Sequence, residues 1–156
     1  MRPAARRVFA FRRDLAHAGP EAGAVESYVW IALGSALGGA GRYWCAGVVA
    51  RRLGEAFPWG TLVVNVSGSL VIGFVDALVA PGGPTVVNAP ARQFVMAGLC
   101  GGYTTFSAFS LQTLDLAREG EWLRAGGNVA ASVAACLAAV WLGRVAAIAL
   151  SRSMGG

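Results

Sequence analysis

The chain has 156 residues, of which 56% are hydrophobic and only 13% charged, and its mean hydropathy is +0.57; this balance excludes an ordinary soluble domain and marks an integral membrane protein. The net charge of +5 comes from 13 basic residues, all arginine, and five of them (Arg2, Arg6, Arg7, Arg12 and Arg13) precede residue 14, so the charge flanks a membrane and does not form a nucleic-acid surface. The single histidine, His17, lies ahead of every apolar run, which leaves no Ser-His-Asp triad, no histidine metal site in the membrane and no basis for an enzyme.

Residues 1–27 are polar and rich in Ala, Gly and Pro, and read as a disordered basic tail before a membrane domain over 28–152. The first span is predicted over 28–50, where Gly34, Gly38, Gly39, Gly41 and Gly47 provide a small-residue surface for close helix contact. It contains Arg42, and a charge inside a span is costly, about 2.5 kcal/mol or more, unless it snorkels or faces water. Arg42 therefore reads either as a vestibule residue attracting anions or as a snorkel beside Tyr43 and Trp44.

The second span, 59–80, sets Thr61, Asn65 and Ser69 at i, i+4 and i+8 on one helix face. Asn65 is deep in the apolar run, so its amide must meet a partner helix, water or a permeating species. Asp76 is near the far end, where a carboxylate reaches the interface. A connector beginning Pro81-Gly-Gly-Pro84 leads to the third span, 93–114, whose centre combines Gly101 and Gly102 with Thr104, Thr105, Ser107 and Ser110. Adjacent glycines weaken a helix, so a break is expected at the Gly101-Gly102 pair, with freed carbonyls that lipid cannot satisfy. Phe106 and Phe109 follow on one face. The fourth span, 125–149, repeats the polar spacing with Asn128, Ser132 and Cys136, and this second stripe is expected to face the first across a narrow passage. Cys45, Cys100 and Cys136 all lie in apolar segments and read as free, buried thiols.

Three strings carry a resemblance: Gly38-Gly-Ala-Gly-Arg42-Tyr, Gly60-Thr-Leu-Val-Val-Asn65-Val-Ser-Gly-Ser69, and Gly98-Leu-Cys-Gly-Gly-Tyr-Thr-Thr-Phe-Ser-Ala-Phe-Ser110. In order and spacing they closely resemble the signatures of the Fluc (CrcB) fluoride channels, from about residue 28 onward. The resemblance implies an all-α integral membrane fold with four transmembrane helices per subunit, the third one broken, assembled as an antiparallel, dual-topology homodimer in the cell membrane. It implies two fluoride pores that let fluoride leak out passively and protect the cell from it, and a structural Na+ at the dimer centre. Carried over by position, the sodium ligands are the backbone carbonyls of Gly101 and Thr104, and the pore residues are Asn65, Phe106 and Phe109, with Thr105, Ser107, Asn128 and Ser132 along the same path. Ala108 stands where many members have threonine, which removes one hydroxyl from that path.

Two other readings use the same residues. A small dual-topology multidrug exporter requires a central membrane carboxylate, whereas the first span here has an arginine and no acid. A non-transporting scaffold subunit uses the glycines and amides for packing alone and predicts no conductance. For orientation, four spans place Arg92, Arg144 and Arg152 on one side and Arg51, Arg52, Arg118 and Arg124 on the other. That near-balance predicts insertion in both directions.

Overall fold

The computed structural model describes residues 22–79 and 87–154, and among them every regular element is helical. The expected disordered tail lies, up to residue 21, outside the described residues, as does the first half of the connector that begins at Pro81. Helix α1 (Ala22–Leu53) ends at Gly54, whose φ of +81° suits glycine and whose N–H donates to the Ala50 carbonyl at 2.8 Å. After α2 (Trp59–Val79), α3 covers residues 89–103 and begins at Asn88, whose Oδ1 accepts from the Ala91 N–H at 3.0 Å, with Pro90 in the first turn. Its middle, Phe94–Cys100, is wound as a π-helix. Helices α4 (Phe106–Arg118) and α5 (Trp122–Met154) complete the chain.

Three stretches, Trp59–Val79, Ala89–Arg118 and Trp122–Ser153, are long and apolar enough to cross a membrane. The second of them contains both α3 and α4. Helix α1 is long enough, at 32 residues, but its glycines and Arg42 make it less apolar than the other three. The inward-facing set is correspondingly thin: Val64, Cys100, Phe109 and three alanines of α5 are buried, while Leu37, Leu137 and Trp141 are all at least 60% exposed. Large apolar side chains that point outward all round are what a chain solvated by lipid presents.

What draws the helices together is close backbone approach. Gly34 and Gly38 of α1 lie against Gly98 and Gly102 of α3, four residues apart on each helix. A Cβ at Gly34 would come within 2.5 Å of the Phe94 carbonyl oxygen, one at Gly102 within 2.6 Å of the Ser35 carbonyl oxygen, and one at Gly38 would collide with the Leu99 carbonyl oxygen. Helices α2 and α5 meet in the same way, with Gly73 against Val140 and Gly143 against Leu70. Near the end of α2, Asp76 Oδ2 accepts from Arg144 of α5 at 2.9 Å, so the acid expected at the interface is tied to the neighbouring helix.

The break in the third span differs from the expectation in its position. Gly101 is helical, with φ −65° and ψ −39°, and the residues that leave the helix are Thr104 (φ −78°, ψ 157°) and Thr105 (φ −151°, ψ 112°). Gly102 is required because Ser35 leaves no room for a side chain there, whereas a Cβ at Gly101 would meet only the Met96 carbonyl oxygen at 3.8 Å, and the unwinding begins where side-chain oxygens become available to the backbone.

Candidate functional site

The break is held by α2. Asn65, placed on the inner face of α2 by the same spacing that buries Thr61, makes two hydrogen bonds to the backbone of Thr105, 40 positions away in the chain. Its Nδ2 donates to the Thr105 carbonyl at 3.0 Å, and its Oδ1 accepts from the Thr105 N–H at 2.7 Å. One turn further along α2, Gly68 receives the methyl of Thr104, which a Cβ at that position would overlap. Between them Ser67 meets the Tyr103 hydroxyl at 3.1 Å. A strip of α2 from Asn65 to Gly68 thus grips residues 103–105.

The two half-helices are finished by hydroxyls. At the end of α3, both the backbone N–H and the Oγ1 of Thr104 donate to the Cys100 carbonyl, each at 3.0 Å. At the start of α4, Thr105 is the N-cap and its Oγ1 accepts from the Ala108 N–H at 3.2 Å. The same Oγ1 lies 3.2 Å from Ser107 Oγ, and Ser110 Oγ donates to the Phe106 carbonyl at 2.9 Å. Ala108 therefore contributes its backbone donor to the break although it has no hydroxyl.

These bonds decide the state of two carbonyls. In an unbroken helix the Thr105 N–H would close onto Gly101 O and the Ala108 N–H onto Thr104 O. Here the first N–H goes to Asn65 and the second to Thr105 Oγ1. Among the described residues no hydrogen bond reaches either carbonyl. Two unpaired backbone oxygens within a membrane span fit a hard cation, whose ligands are oxygens.

Phe106 and Phe109 are neighbours with ring centroids 5.3 Å apart and planes tilted by 48°. Their surroundings differ: Phe109 is buried, whereas Phe106 is 78% exposed at the break. Among the described residues no hydrogen bond joins the polar stripe of α5 to the stripe of α2. Instead Asn128, which is 1% exposed, donates to Thr113 Oγ1 at 2.8 Å, and Thr113 Oγ1 donates to the Phe109 carbonyl at 2.7 Å. Ser132, also buried, donates weakly to Asn128 Oδ1 at 3.4 Å. The stripe therefore anchors α4, because α5 follows it by a short turn and lies alongside it. Arg42 is half-buried on α1, one residue after Gly41, where a Cβ would be in contact with the Tyr103 ring at 3.7 Å.

Three participants carried little or no signal in the sequence. Thr113 follows Phe109 by one helical turn, and that spacing within an uncharged segment was its only signal. Ser67 and Tyr103 had none, since a Ser–Tyr bond across 36 positions leaves no local pattern.

These observations define a class: a small multi-pass helical membrane protein whose third span is parted mid-way, with side chains of a neighbouring helix keeping it parted. The sequence profile of the family described as CrcB-like protein, Camphor Resistance (CrcB), matches residues 29–144, and the chain belongs to that family. The fluoride-specific ion channel FluC of Methylocella silvestris is 59% identical over 128 residues, covering 82% of this chain and 98% of the relative. The protein of the same name from Opitutus terrae is also 59% identical, over 82% of this chain and 97% of its own. That of Rhodospirillum rubrum is 52% identical, over 82% and 99%. Membership and the three span-forming stretches together make this a multi-pass protein of the cell membrane.

Proposed function

We propose that this chain is a fluoride-selective channel through which fluoride leaves the cell passively. The observation that carries this reading is Phe106, a large aromatic left exposed at the break beside Phe109, in a chain 59% identical to proteins named fluoride-specific ion channels. Fluoride is small and strongly hydrated, so a pore that passes it must replace water with donors weak enough to release it. Ring edges carry partial positive charge, and one hydrogen of the Asn65 amide remains after the other is given to Thr105. Thr105 and Ser107 add hydroxyls at the break, Asn128 and Ser132 support that lining from behind by holding α4, and Arg42 attracts anions at the vestibule. The exporter alternative is disfavoured because Asp76 is engaged by Arg144. In proteoliposomes, fluoride efflux without a proton gradient is expected, with chloride retained; equal passage of chloride, or fluoride movement only under a proton gradient, would refute the channel.

Assembly belongs to the same reading. With α1 counted as a span alongside the three apolar stretches, the subunit has four, and the carbonyls of Gly101 and Thr104 need cover that lipid cannot give. A second, antiparallel copy supplies that cover, and a structural Na+ held by Gly101 O and Thr104 O of both copies neutralises the facing oxygens. The near-balance of arginines supports insertion in both orientations. A single cysteine at Glu119→Cys, with Cys45, Cys100 and Cys136 replaced, is expected to be labelled from each side in about half the molecules, because a balanced chain has no preferred orientation. Labelling from one side only would exclude dual topology. Residue 119 is chosen because its neighbour Gly120 has a φ of +83°, which a cysteine would strain.

A further inference from the structure

We infer that Asn65 and Thr105 are positioning residues for the cation site, each creating one of its ligands by capturing the N–H that would otherwise close onto it. The inference rests on the sodium reading given above. It follows from where two backbone donors go. The Thr105 N–H belongs to the residue four after Gly101 and the Ala108 N–H to the residue four after Thr104, so these are the donors an α-helix would pair with those carbonyls. Asn65 Oδ1 takes the first at 2.7 Å and Thr105 Oγ1 takes the second at 3.2 Å. Both captures are local to the break, and each uses one side-chain oxygen. The amide does more than accept: its donation to the Thr105 carbonyl at 3.0 Å fixes the peptide on both sides of residue 105, which holds that residue extended.

The relation is selective in chemistry. A side chain at position 65 or 105 that keeps an acceptor oxygen leaves its carbonyl free, and an apolar side chain of similar size releases the N–H to pair with it. Supporting groups of this kind typically change metal affinity about 10- to 100-fold when removed. The role is also distinct from that of an anion ligand, because Thr105 Oγ1 acts through a carbonyl on the cation side.

The test measures sodium and does not rely on fluoride flux. In the purified full chain in detergent, the thermal midpoint is followed against NaCl, with N-methyl-D-glucamine chloride keeping ionic strength constant, for wild type, Thr105→Ser, Thr105→Val, Asn65→Asp and Asn65→Leu. Thr105→Ser and Asn65→Asp, whose protonated carboxyl keeps a donor and an acceptor, are expected to retain the sodium response within about threefold, while Thr105→Val and Asn65→Leu need at least about tenfold more sodium. A wild-type response in Thr105→Val or Asn65→Leu overturns the inference. If one position yields no folded protein by circular dichroism, the pair at the other decides. Absence of a sodium response in wild type would defeat the sodium reading itself, which separates the two failures.

Discussion

Phe106→Ile is expected to lower fluoride flux about tenfold or more while leaving the fold and its thermal midpoint nearly unchanged. The asymmetry comes from exposure: at 78% exposed, Phe106 contributes little to the core of this chain, so removing the ring leaves a small cavity or none. What is lost is the ring's electropositive edge beside the break. The converse interaction, a cation over a ring face, is worth about 1–2 kcal/mol when desolvated, and each 1.4 kcal/mol is about a factor of ten. Phe109 provides the contrast. It is buried against α4's neighbours, and Phe109→Ala is expected to cost about 3–5 kcal/mol and to impair folding together with flux. Efflux assays alongside thermal unfolding separate the two; a Phe106→Ile protein with wild-type efflux would make the exposed ring a packing residue of the assembled protein.

Much of this site could be read from residue types, and its connections could not. An amide at position 65 inside an apolar run had to be satisfied, and the cluster of Thr104, Thr105 and Ser107 beside two glycines announced a break within a few residues of where it lies. The break moved three residues along because glycine's weakness as a helix former is a local property, whereas the need for bare backbone at Gly102 is imposed by Ser35 of another helix. Likewise Asn128 and Ser132 were legible as a polar face, but the spacing that puts them on one side of α5 does not say which helix that side meets. Thr113 of α4 answers it, and its selection depends on the short turn between α4 and α5. The Asp76–Arg144 pair shows the same limit, since each looked like an independent interface charge until α2 and α5 were placed side by side.

Gly38→Ala and Gly39→Ala are expected to have opposite outcomes, although the two residues are adjacent in one helix and chemically identical. A Cβ at Gly38 would collide with the Leu99 carbonyl oxygen and lie 2.8 Å from the Tyr103 nitrogen, whereas at Gly39 nothing lies within 4 Å. Both obstacles at Gly38 are backbone atoms of α3, so no side-chain rotation relieves the contact and α1 must move away from residues 94–103. Overpacking of this kind costs about 1–3 kcal/mol and sometimes more. The displaced backbone includes Tyr103, the last residue before the Thr104–Thr105 break, so fluoride flux is expected to fall along with the thermal midpoint. At Gly39 the substitution adds only a methyl in open space to a helix interior, where alanine is favoured over glycine by up to about 1 kcal/mol. Stability there should hold or rise, with flux unchanged. Parallel unfolding and efflux measurements on the two variants decide the matter: equal losses would mean that the contact of α1 with α3 is not what positions the break.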